Sequence, residues 1–287
     1  FDPLIVHIYN QKQLRELTHF ESPIIQKLCS QFWPGPLTLV LPKTDQVNPL
    51  ITSGLDSVGI RMPSHPLALE VLKKIDVPLA APSANLFGHT SPTKAVHVEN
   101  DFQSKDLLIL DGGDCQVGIE STVLKITPNL DSQKIELAIL RKGFITKTQI
   151  EQALIEFKNN YSFLDSVDKK SSPGHMKHHY MPKIPLIFLS QAKPIPTLLE
   201  LIEKDFAKIP DKIEEIQIRK PIFPIKNWST LEFSEDAALA SRELYDKLKT
   251  HAERNVQILI FEKKPFMNTE AWEGFLERIS KAASLSY

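Results

Sequence analysis

The sequence predicts an α/β protein in two parts, and three features of the chain support this prediction. In residues 1–160, strand-like apolar runs mix with helical patterns without a steady strand–helix–strand order, which favours an α+β domain with a mixed, twisted sheet. After residue 184, strands and helices alternate regularly, which predicts a small parallel α/β domain over residues 184–287. Residues 161–183 lie between them and contain a tract of Ser, Pro, Gly, Lys and His without apolar periodicity, which indicates a linker.

The elements of the first part follow from apolar periodicity and from residues that begin or end helices. For example, Ile24, Ile25 and Leu28 share one face of a helix, which Trp33 and the following Pro-Gly-Pro end abruptly. By these criteria, we predict strands at 4–9, 37–41, 58–62, 77–81, 107–110, 118–126 and 137–140, and helices at 11–17, 23–32, 67–75, from 91 onward, and from 146 or 148 to 157.

The elements of the second part repeat a simpler rhythm. Ser234 is expected to cap the helix that continues to residue 248. We predict strands at 184–189, 213–218 and 256–261, and helices at 197–206, 234–248 and 269–283. The second part contains neither GxGxxG nor GxxxxGK[ST], so it is not a standard nucleotide site.

Composition excludes several classes of protein. The chain has 287 residues, 42% hydrophobic and 24% charged, with a net charge of -1, so no overall basic balance favours nucleic acid. Cys29 and Cys115 are too few for a disulfide framework and fit a reducing compartment. No apolar run approaches the roughly 18 residues of a membrane span. We therefore expect a cytoplasmic protein that does not bind membranes, and we expect a monomer.

Residues 77–96 contain the most suggestive local pattern. A short apolar run is followed by a polar turn with Ser83 and Asn85, and then by Ser91 and Pro92, which are typical of a helix N-cap and first turn. A strand that leads through donor-rich residues to a helix N-terminus is suited to holding an anion.

Other candidate residues also stand where predicted strands end or begin. These are Arg61, Ser121 with Thr122, and Arg141. Arginine is the side chain best suited to bidentate binding of carboxylate or phosphate. If these positions converge, they form a positive, donor-rich site for a nucleotide, a carboxylate or both. The sequence contains no Ser-His-Asp order, HExxH or paired-carboxylate signature, so chemistry would depend on positioning and charge neutralisation, with Mg²⁺ as the usual helper.

Each candidate also has a structural interpretation without a ligand. Arg61 fits a surface ion pair, Ser83 and Asn85 fit turn hydrogen bonds, and Ser91 fits an N-cap. Ser121 and Thr122 fit ordinary strand positions, and His7 fits a core or edge histidine. Asp111 and Asp114 fit a hairpin turn better than a Mg²⁺ site, and the linker histidines His175, His178 and His179 fit a solvated hinge better than a metal site.

Five ordered motifs resemble the threonylcarbamoyl-AMP synthase family with the YrdC-like fold. They are FWPGPLTLVL, GIRMPSHPLAL, PLAAPSANLFGHTSPT, LDGGDCQVGIESTV and ILRKG. The resemblance covers about residues 1–154, and SPGHMKHHYMP followed by a small α/β domain is similar to the two-domain branch of that family.

The resemblance implies an ATP-dependent nucleotidyl transfer. L-threonine and bicarbonate would give N-carboxythreonine, whose carboxylate attacks the α-phosphate of ATP and releases pyrophosphate. A partner complex would then transfer the threonylcarbamoyl group of the product to a tRNA adenosine. The alternative is a non-catalytic YrdC-like module that binds RNA or tRNA, for which the Lys- and His-rich linker would supply charge.

The resemblance also assigns roles to individual residues. On the threonine side it places His7, Arg61 (on the carboxylate), Ala81 (by its backbone) and Ser121. On the ATP side it places Asp2, Ser57, Ser83, Ser91, Arg141 and Tyr180, with Asn85 as a weaker candidate in the same loop. Tyr180, at the end of the linker, would fold back over the nucleotide as a lid.

The sequence departs from the family pattern at its start. The chain begins at Phe1 without methionine and leads directly into a strand. The family carries a basic KxR motif and a threonine-binding segment just upstream of this strand, so we expect the natural protein to contain both.

Overall fold

The computed structural model describes residues 2–103, 106–129, 131, 133–164, 179–209, 212–213, 216–217 and 220–287. The chain forms two compact units that do not follow chain order. The first unit contains Phe1–Pro82 and Glu120–His175, and the second contains Ser83–Ile119 and Met176–Tyr287. The segment Ser83–Ile119 therefore groups with the C-terminal part of the chain, which position along the sequence does not suggest. The sequence-based domain limits stay a prediction.

The first unit is built on a mixed seven-stranded sheet. Its strands are β1 (Ile5–His7), β2 (Leu37–Pro42), β3 (Ser57–Arg61), β4 (Leu79–Ala81), β5 (Thr122–Asn129), β6 (Lys134–Arg141) and β7 (Tyr161–Phe163). Their order across the sheet is β4-β1-β3-β2-β5-β6-β7. The pairs β1–β3, β2–β5 and β6–β7 are parallel, and the other neighbouring pairs are antiparallel. This confirms the mixed sheet predicted from the irregular order of elements.

The helices of both units are α1 (Gln11–Leu17), α2 (Pro23–Phe32), α3 (Pro66–Ile75), α4 (Ala95–Phe102), α5 (Lys147–Ala153), α6 (Ile195–Phe206), α7 (Ala237–Ala252) and α8 (Glu273–Ala282). The limits of α1 and α2 agree with the prediction because their signals are local. Asn10 and Ser22 cap them through their side chains, and Pro23 occupies the first turn of α2.

The core of the first unit lies on one face of the sheet. Val6, Val58 and Ile60 alternate with half-buried residues along β1 and β3, and they pack in one cluster with apolar residues of α1, α2 and α5. Because side chains alternate across a strand, the intervening residues point to the opposite face. That second face carries only a small apolar cluster, made of Val40, Val123, Ala138 and Leu140.

The second unit contains a four-stranded parallel sheet. Its order is β11-β12-β8-β13, and its strands are β8 (Leu186–Leu189), β11 (Trp228–Thr230), β12 (Ile258–Glu262) and β13 (Leu285–Ser286). Apolar clusters cover both faces, as the neighbours Leu186 and Ile187 illustrate by belonging to different clusters. The regular alternation of the sequence predicted this sheet, because a parallel sheet buried on both faces requires covering helices.

Three local predictions were wrong. The helix predicted from residue 91 begins at Ala95 with Lys94 as its N-cap, because Thr93 is held outside the helix by a hydrogen bond from the Cys115 N–H to its carbonyl (2.9 Å). Helix α7 begins at Ala237 with Asp236 as its cap, whereas Ser234 accepts the N–H of Asp236 just before the helix.

The third error is the strand predicted at residues 107–110. These residues have no regular structure, and Leu108 is 84% exposed. A short apolar run indicates a strand only if a neighbouring strand pairs with it. The prediction at 213–218 was correct only in part, since β9 (Lys212–Ile213) and β10 (Ile216–Gln217) form a short antiparallel pair.

Two further properties concern the whole chain. No helix among the described residues is long and apolar enough to cross a membrane. Cys29 is buried, Cys115 is exposed, and both are free thiols.

Thr122 connects the start of β5 to the loop before α5, and it gives a test of the fold. Its buried hydroxyl donates to the Ile145 carbonyl (2.7 Å) and accepts the Ile145 N–H (3.0 Å). Thr122→Val keeps the shape but leaves both backbone groups unpaired, so we expect the free energy of unfolding to fall by about 1–3 kcal/mol in urea titrations. Thr127→Val, at a half-buried position of the same strand, is the control and should change it by less than about 0.5 kcal/mol. Equal effects of the two substitutions would contradict this role.

Candidate functional site

The candidate residues of the first unit lie on the face of the sheet opposite the core. On β3, Ser57, Gly59 and Arg61 alternate with the buried Val58 and Ile60. On β1, His7 lies on the same side as Ile5, since Val6 between them faces the core. The sheet therefore separates the candidate site, on one face, from the main core, on the other face.

Strand directions bring four of these residues to one edge. The parallel strands β1 and β3 end together, and His7 stands opposite Arg61 in register. β2 runs antiparallel to β3 and parallel to β5, so β5 begins at this edge, immediately after Ser121. β6 runs antiparallel to β5 and ends there at Arg141. The condition set in the sequence, that Arg61, Ser121 and Arg141 converge, is thus met as a consequence of the sheet topology.

A β-bulge aims Arg141 at the site. Val123 pairs with Arg141 and Leu124 pairs with Ile139, so β6 has one additional residue, Leu140, at this point. In a regular strand Arg141 would share the side of Ile139, which packs against the core. Bulges commonly redirect a side chain in this way next to functional sites. Here the extra residue places Arg141 on the candidate face.

Hydrogen bonds hold Arg141 in place once it is there. Its Nε donates to the Ser121 carbonyl and its Nη2 donates to Ser121 Oγ, both at 3.1 Å. Ser121 Oγ lies 2.7 Å from Thr38 Oγ1, and all three side chains are buried. Ser121 therefore orients a guanidinium as well as lining the site. Thr38 was not predicted from the sequence, where its signal is a hydroxyl in an otherwise apolar strand.

Gly143 is also necessary for this arrangement. A Cβ at this position would overlap the backbone of Glu120, Ser121 and Thr122. The absence of a side chain thus lets the turn after β6 pack directly on the segment that holds Arg141.

Arg61 and His7 form the other half of the edge. Arg61 Nη2 lies 3.0 Å from His7 Nε2. A guanidinium has only donors, so Nε2 accepts and the ring hydrogen is on Nδ1. Burial, followed by the charge of Arg61, lowers the pKa of His7 to about 4, which keeps the imidazole neutral near pH 7.

The electrostatics of this edge favour an anionic ligand. Burial lowers the pKa of Arg61 to about 10, and the positive charge of Arg141 acts in the same direction. Within the described residues, the buried Nε of Arg61 has no hydrogen-bond partner. Two desolvated guanidiniums that repel each other, one with an unused donor, are stabilised by an anion that both can reach.

A groove lies on the same face, and His7, Arg61, Ser121 and Arg141 are not among the residues that line it. It is lined by Pro3, Leu4, Ile5, Thr38, Val40, Thr52, Ser57, Gly59 and Val123. Ser57 lies at the opposite end of β3 from Arg61, about 13 Å away along the strand. Asp2 immediately precedes the lining residue Pro3. Ala81, on β4, pairs with the lining residue Ile5, on β1. Of the residues predicted for threonine and ATP in this unit, Ser57 lines this groove.

The remaining loop candidates belong to the second unit. Ser83 is exposed, and Ser91 is buried. Asn85 closes its own loop, since its Nδ2 donates to the carbonyls of Leu86 (2.9 Å) and His89 (3.1 Å). This is the turn role considered for Asn85 in the sequence, and the buried Oδ1 on its other side has no hydrogen-bond partner among the described residues.

Tyr180 occupies the core of the second unit. Its ring is 2% exposed, lies 5.6 Å from the ring of Tyr245, and has the Arg278 guanidinium 5.5 Å from its centroid. Its φ of 67° is in the left-handed region. In this structure the ring packs inside the unit, and the predicted role as a lid over ATP stays a prediction. His175 and His178 lie outside the described residues.

The acidic turn at 111–114 has a structural role. Asp111 Oδ1 accepts the Gly113 N–H at 2.8 Å, as in an Asx-turn. Groups of three or more His, Cys, Asp or Glu that could hold a metal ion do not occur in the described part of the chain.

Comparisons with known proteins connect this geometry to a family. Residues 2–143 match the Sua5/YciO/YrdC family model, described as "Telomere recombination". The threonylcarbamoyl-AMP synthase of Bacillus subtilis is 35% identical over 98% of this chain and 79% of its own length. The chain belongs to the threonylcarbamoyl-AMP synthase family. Residues 145–284 match the model described as "Threonylcarbamoyl-AMP synthase, C-terminal domain", in agreement with the two-domain branch suggested by the sequence.

A sequence and a crystal structure from Pyrococcus abyssi are also similar to this chain. The P. abyssi threonylcarbamoyl-AMP synthase is 38% identical over 75% of this chain and 58% of its own length. The crystal structure of P. abyssi Sua5 complexed with L-threonine superposes with a TM-score of 0.76 at 29% identity, covering 100% of this chain and 82% of that one. The fold predicted from the sequence is thereby confirmed.

The lowered pKa of His7 makes stability depend on pH. Between pH 6.5 and about 4 the unfolded chain binds a proton that folded His7 does not, so stability falls as the pH falls through this window. His7→Gln removes this contribution. We expect wild type to lose about 2–3 kcal/mol more than His7→Gln between pH 7 and 4, measured by urea unfolding at each pH.

His19→Gln, at an exposed position, is the matched control and should follow the wild-type curve. A His7→Gln curve parallel to that of wild type would show that His7 is not kept neutral by its surroundings.

Proposed function

We propose that this protein is an L-threonylcarbamoyladenylate synthase, a nucleotidyltransferase that uses L-threonine, bicarbonate and ATP. The observation that carries the proposal is the pair of buried guanidiniums, Arg61 and Arg141, on one face of the sheet in a chain of this family. The product would supply the threonylcarbamoyl group for a tRNA adenosine through a downstream transfer complex. A cytoplasmic setting agrees with the two free cysteines.

Threonine would bind where β1, β3 and β6 end, at His7, Arg61 and Arg141. We call this end of the strands the arginine edge. The threonine carboxylate is the anion proposed for Arg61, whose Nε and remaining N–H groups match the two oxygens of a carboxylate. Neutral His7 accepts a hydrogen bond from Arg61 and fixes the plane of the guanidinium without adding a second positive charge. Ser121 and the backbone of Ala81 would complete the threonine site. P. abyssi Sua5 has been crystallised as a complex with L-threonine, which supports this choice of ligand.

ATP would occupy the groove beyond threonine. Arg141 is held by Ser121 at the arginine edge. We propose that it neutralises the charge that develops on the α-phosphate. Ser57, which lines the groove, and Asp2, which precedes the lining residue Pro3, stay candidate ATP contacts. Ser83, Ser91 and Tyr180 stay candidate ATP contacts from the sequence, with Asn85 as a weaker one. We expect Mg²⁺ to be carried by the phosphates of ATP, in agreement with the usual mode of Mg²⁺ binding.

The chemistry proposed for this site needs no covalent intermediate on the protein. The threonine nitrogen and bicarbonate form N-carboxythreonine with loss of water. A carboxylate oxygen of N-carboxythreonine then forms a bond to the α-phosphorus, and the bond from that phosphorus to the bridging oxygen breaks, releasing pyrophosphate. The protein would contribute alignment of the two reactants and neutralisation of phosphate charge, which are the main components of catalysis in phosphoryl transfer.

Arg61→Ala tests the assignment of the carboxylate. In a threonine-dependent pyrophosphate-release assay with ATP, bicarbonate and Mg²⁺, we expect the KM for threonine to rise about 10–150-fold, because a charge-assisted hydrogen bond of about 1.5–3 kcal/mol is lost. The KM for ATP should change little. Arg15→Ala, an exposed arginine on α1, is the control and should behave as wild type.

Two results would contradict the proposal. A rise in the KM for ATP alone would place Arg61 in the nucleotide site. If the wild-type protein released no pyrophosphate in response to threonine but bound tRNA with a steep salt dependence, the RNA-binding alternative would replace the synthase.

A further inference from the structure

Charged side chains of helix α7, in the second unit, form ion pairs with the segment Ser83–Ile119. Lys249 Nζ lies 3.0 Å from Asp101 Oδ2. Asp246 Oδ1 lies 2.9 Å from Lys94 Nζ and 3.3 Å from His97 Nε2. Asp246 and Lys249 are three residues apart, so they lie on one face of α7. We call these five residues (Lys94, His97, Asp101, Asp246 and Lys249) the α4–α7 clasp.

The contacts of the clasp differ in strength. The side chains of Asp101 and Lys249 are 5% and 14% exposed, so this pair is largely removed from water. Breaking such a pair by removing one partner is strongly destabilising because the other charge stays buried. The side chains of Lys94 and Asp246 are about one third exposed, and pairs of that kind contribute little. The pair of Asp101 and Lys249 is therefore the main anchor.

Hydrogen bonds continue from the clasp to the loop that carries Ser91. The Thr93 N–H donates to His97 Nδ1 at 3.2 Å, so the ring of His97 connects Asp246 with Thr93. The far end of the segment also meets α7, because a Cβ on Gly118 would overlap the backbone of Ser241 and Arg242. The segment therefore contacts one helix both through α4 and at its C-terminal end.

The segment depends on these contacts because it has little core of its own. Among its described residues, Ile119 is the only buried apolar side chain, while the polar residues Thr90, Ser91, Thr93 and His97 are buried. Val96, Leu107, Leu108 and Leu110 are exposed. Polar contacts to α7 therefore hold the segment, together with the Met181 N–H, which donates to the Gly88 carbonyl (2.8 Å), and the packing of Val117 and Ile119 at its end.

We propose that Asp101 and Lys249 are positioning residues for ATP binding, and that fixing the Ser83–Ser91 loop is a role of the C-terminal part of the chain. This inference depends on the proposed function, since it assigns Ser83 and Ser91 to the nucleotide. A loop that is in the competent conformation only a fraction of the time weakens the apparent affinity by that fraction. Loss of the clasp would thus act on ATP and leave threonine, which is assigned to the first unit, unaffected.

The experiment compares Lys249→Met and Asp101→Asn with wild type in two assays. Amide hydrogen exchange reports opening of the segment, and calorimetric titration reports the Kd for ATP and for threonine separately. We expect exchange in the segment to accelerate and the Kd for ATP to rise at least about tenfold, while the Kd for threonine stays within about twofold. The double variant Asp101→Lys with Lys249→Asp reverses the pair and should recover part of both losses.

Lys247→Met is the matched control. Lys247 lies on the same helix but contacts Glu243 and the Glu232 carbonyl, which are both outside the segment. It should change neither segment exchange nor ATP affinity. Exchange in the strands of the parallel sheet shows whether a variant has unfolded. If Lys249→Met unfolds the unit, Asp101→Asn, which keeps the shape of the side chain and a hydrogen-bonding group, decides the question.

The possible outcomes separate this inference from the proposed function. Unchanged segment exchange in the folded variants would show that the clasp does not hold the segment. Faster exchange with an unchanged Kd for ATP would overturn the positioning role. If wild type binds ATP more tightly than Lys249→Met but releases no pyrophosphate in response to threonine, the clasp is supported and the synthase is not.

Discussion

The close approach of two guanidiniums is the interaction on which the candidate site depends. Arg61 and Arg141 come from strands at different places in the sheet, and burial together with the charge of Arg141 lowers the pKa of Arg61. A protein can maintain such a pair only if neighbouring groups fix both side chains. Here Ser121 fixes Arg141, and His7 fixes Arg61. An anion offsets the repulsion between the two guanidiniums. The arrangement therefore favours binding of an anion, while the unrelieved repulsion lowers the stability of the free protein.

Several features of the first unit have their simplest explanation in this requirement. The bulge at Leu140 turns Arg141 away from the core side, and Gly143 lets the chain return closely past Ser121. Thr38 lies on a strand that is otherwise apolar and completes the hydrogen bonding of the Ser121 hydroxyl. Neutral His7 accepts a hydrogen bond where a charged histidine would add a third positive charge. The main core packs on the opposite face of the sheet from these residues.

The sequence predicted local features well and long-range ones poorly, for physical reasons. Helices α1 and α2 were predicted to the residue because their caps and apolar stripes lie within the helices themselves. Arg61, Ser121 and Arg141 were recognised as candidates because strand ends and turn residues are visible in the sequence, whereas their convergence depends on the strand order. The bulge, the role of Thr38 and the short strands β7, β11 and β13 depend on pairing with distant residues, which local patterns do not record.

Ser91 shows why motif and structure must be combined. Its sequence context is that of an N-cap, yet α4 begins at Ala95, because Thr93 is held by Cys115 and by His97. The grouping of residues 83–119 with the C-terminal part was equally invisible, since it depends on side chains of α7 that are distant in the sequence. Conversely, the order of five short motifs identified the family before any contact was known.

The central proposal is that Arg61, with Arg141 beside it, recognises the carboxylate of threonine. Calorimetric titration of the wild-type protein with L-threonine and with L-threoninol, in which a hydroxymethyl group replaces the carboxylate, tests it most directly. We expect L-threoninol to bind about 10–150-fold more weakly, as the loss of a charge-assisted hydrogen bond requires. Equal affinities for the two compounds would contradict the claim and would show that the arginine edge holds another part of the ligands.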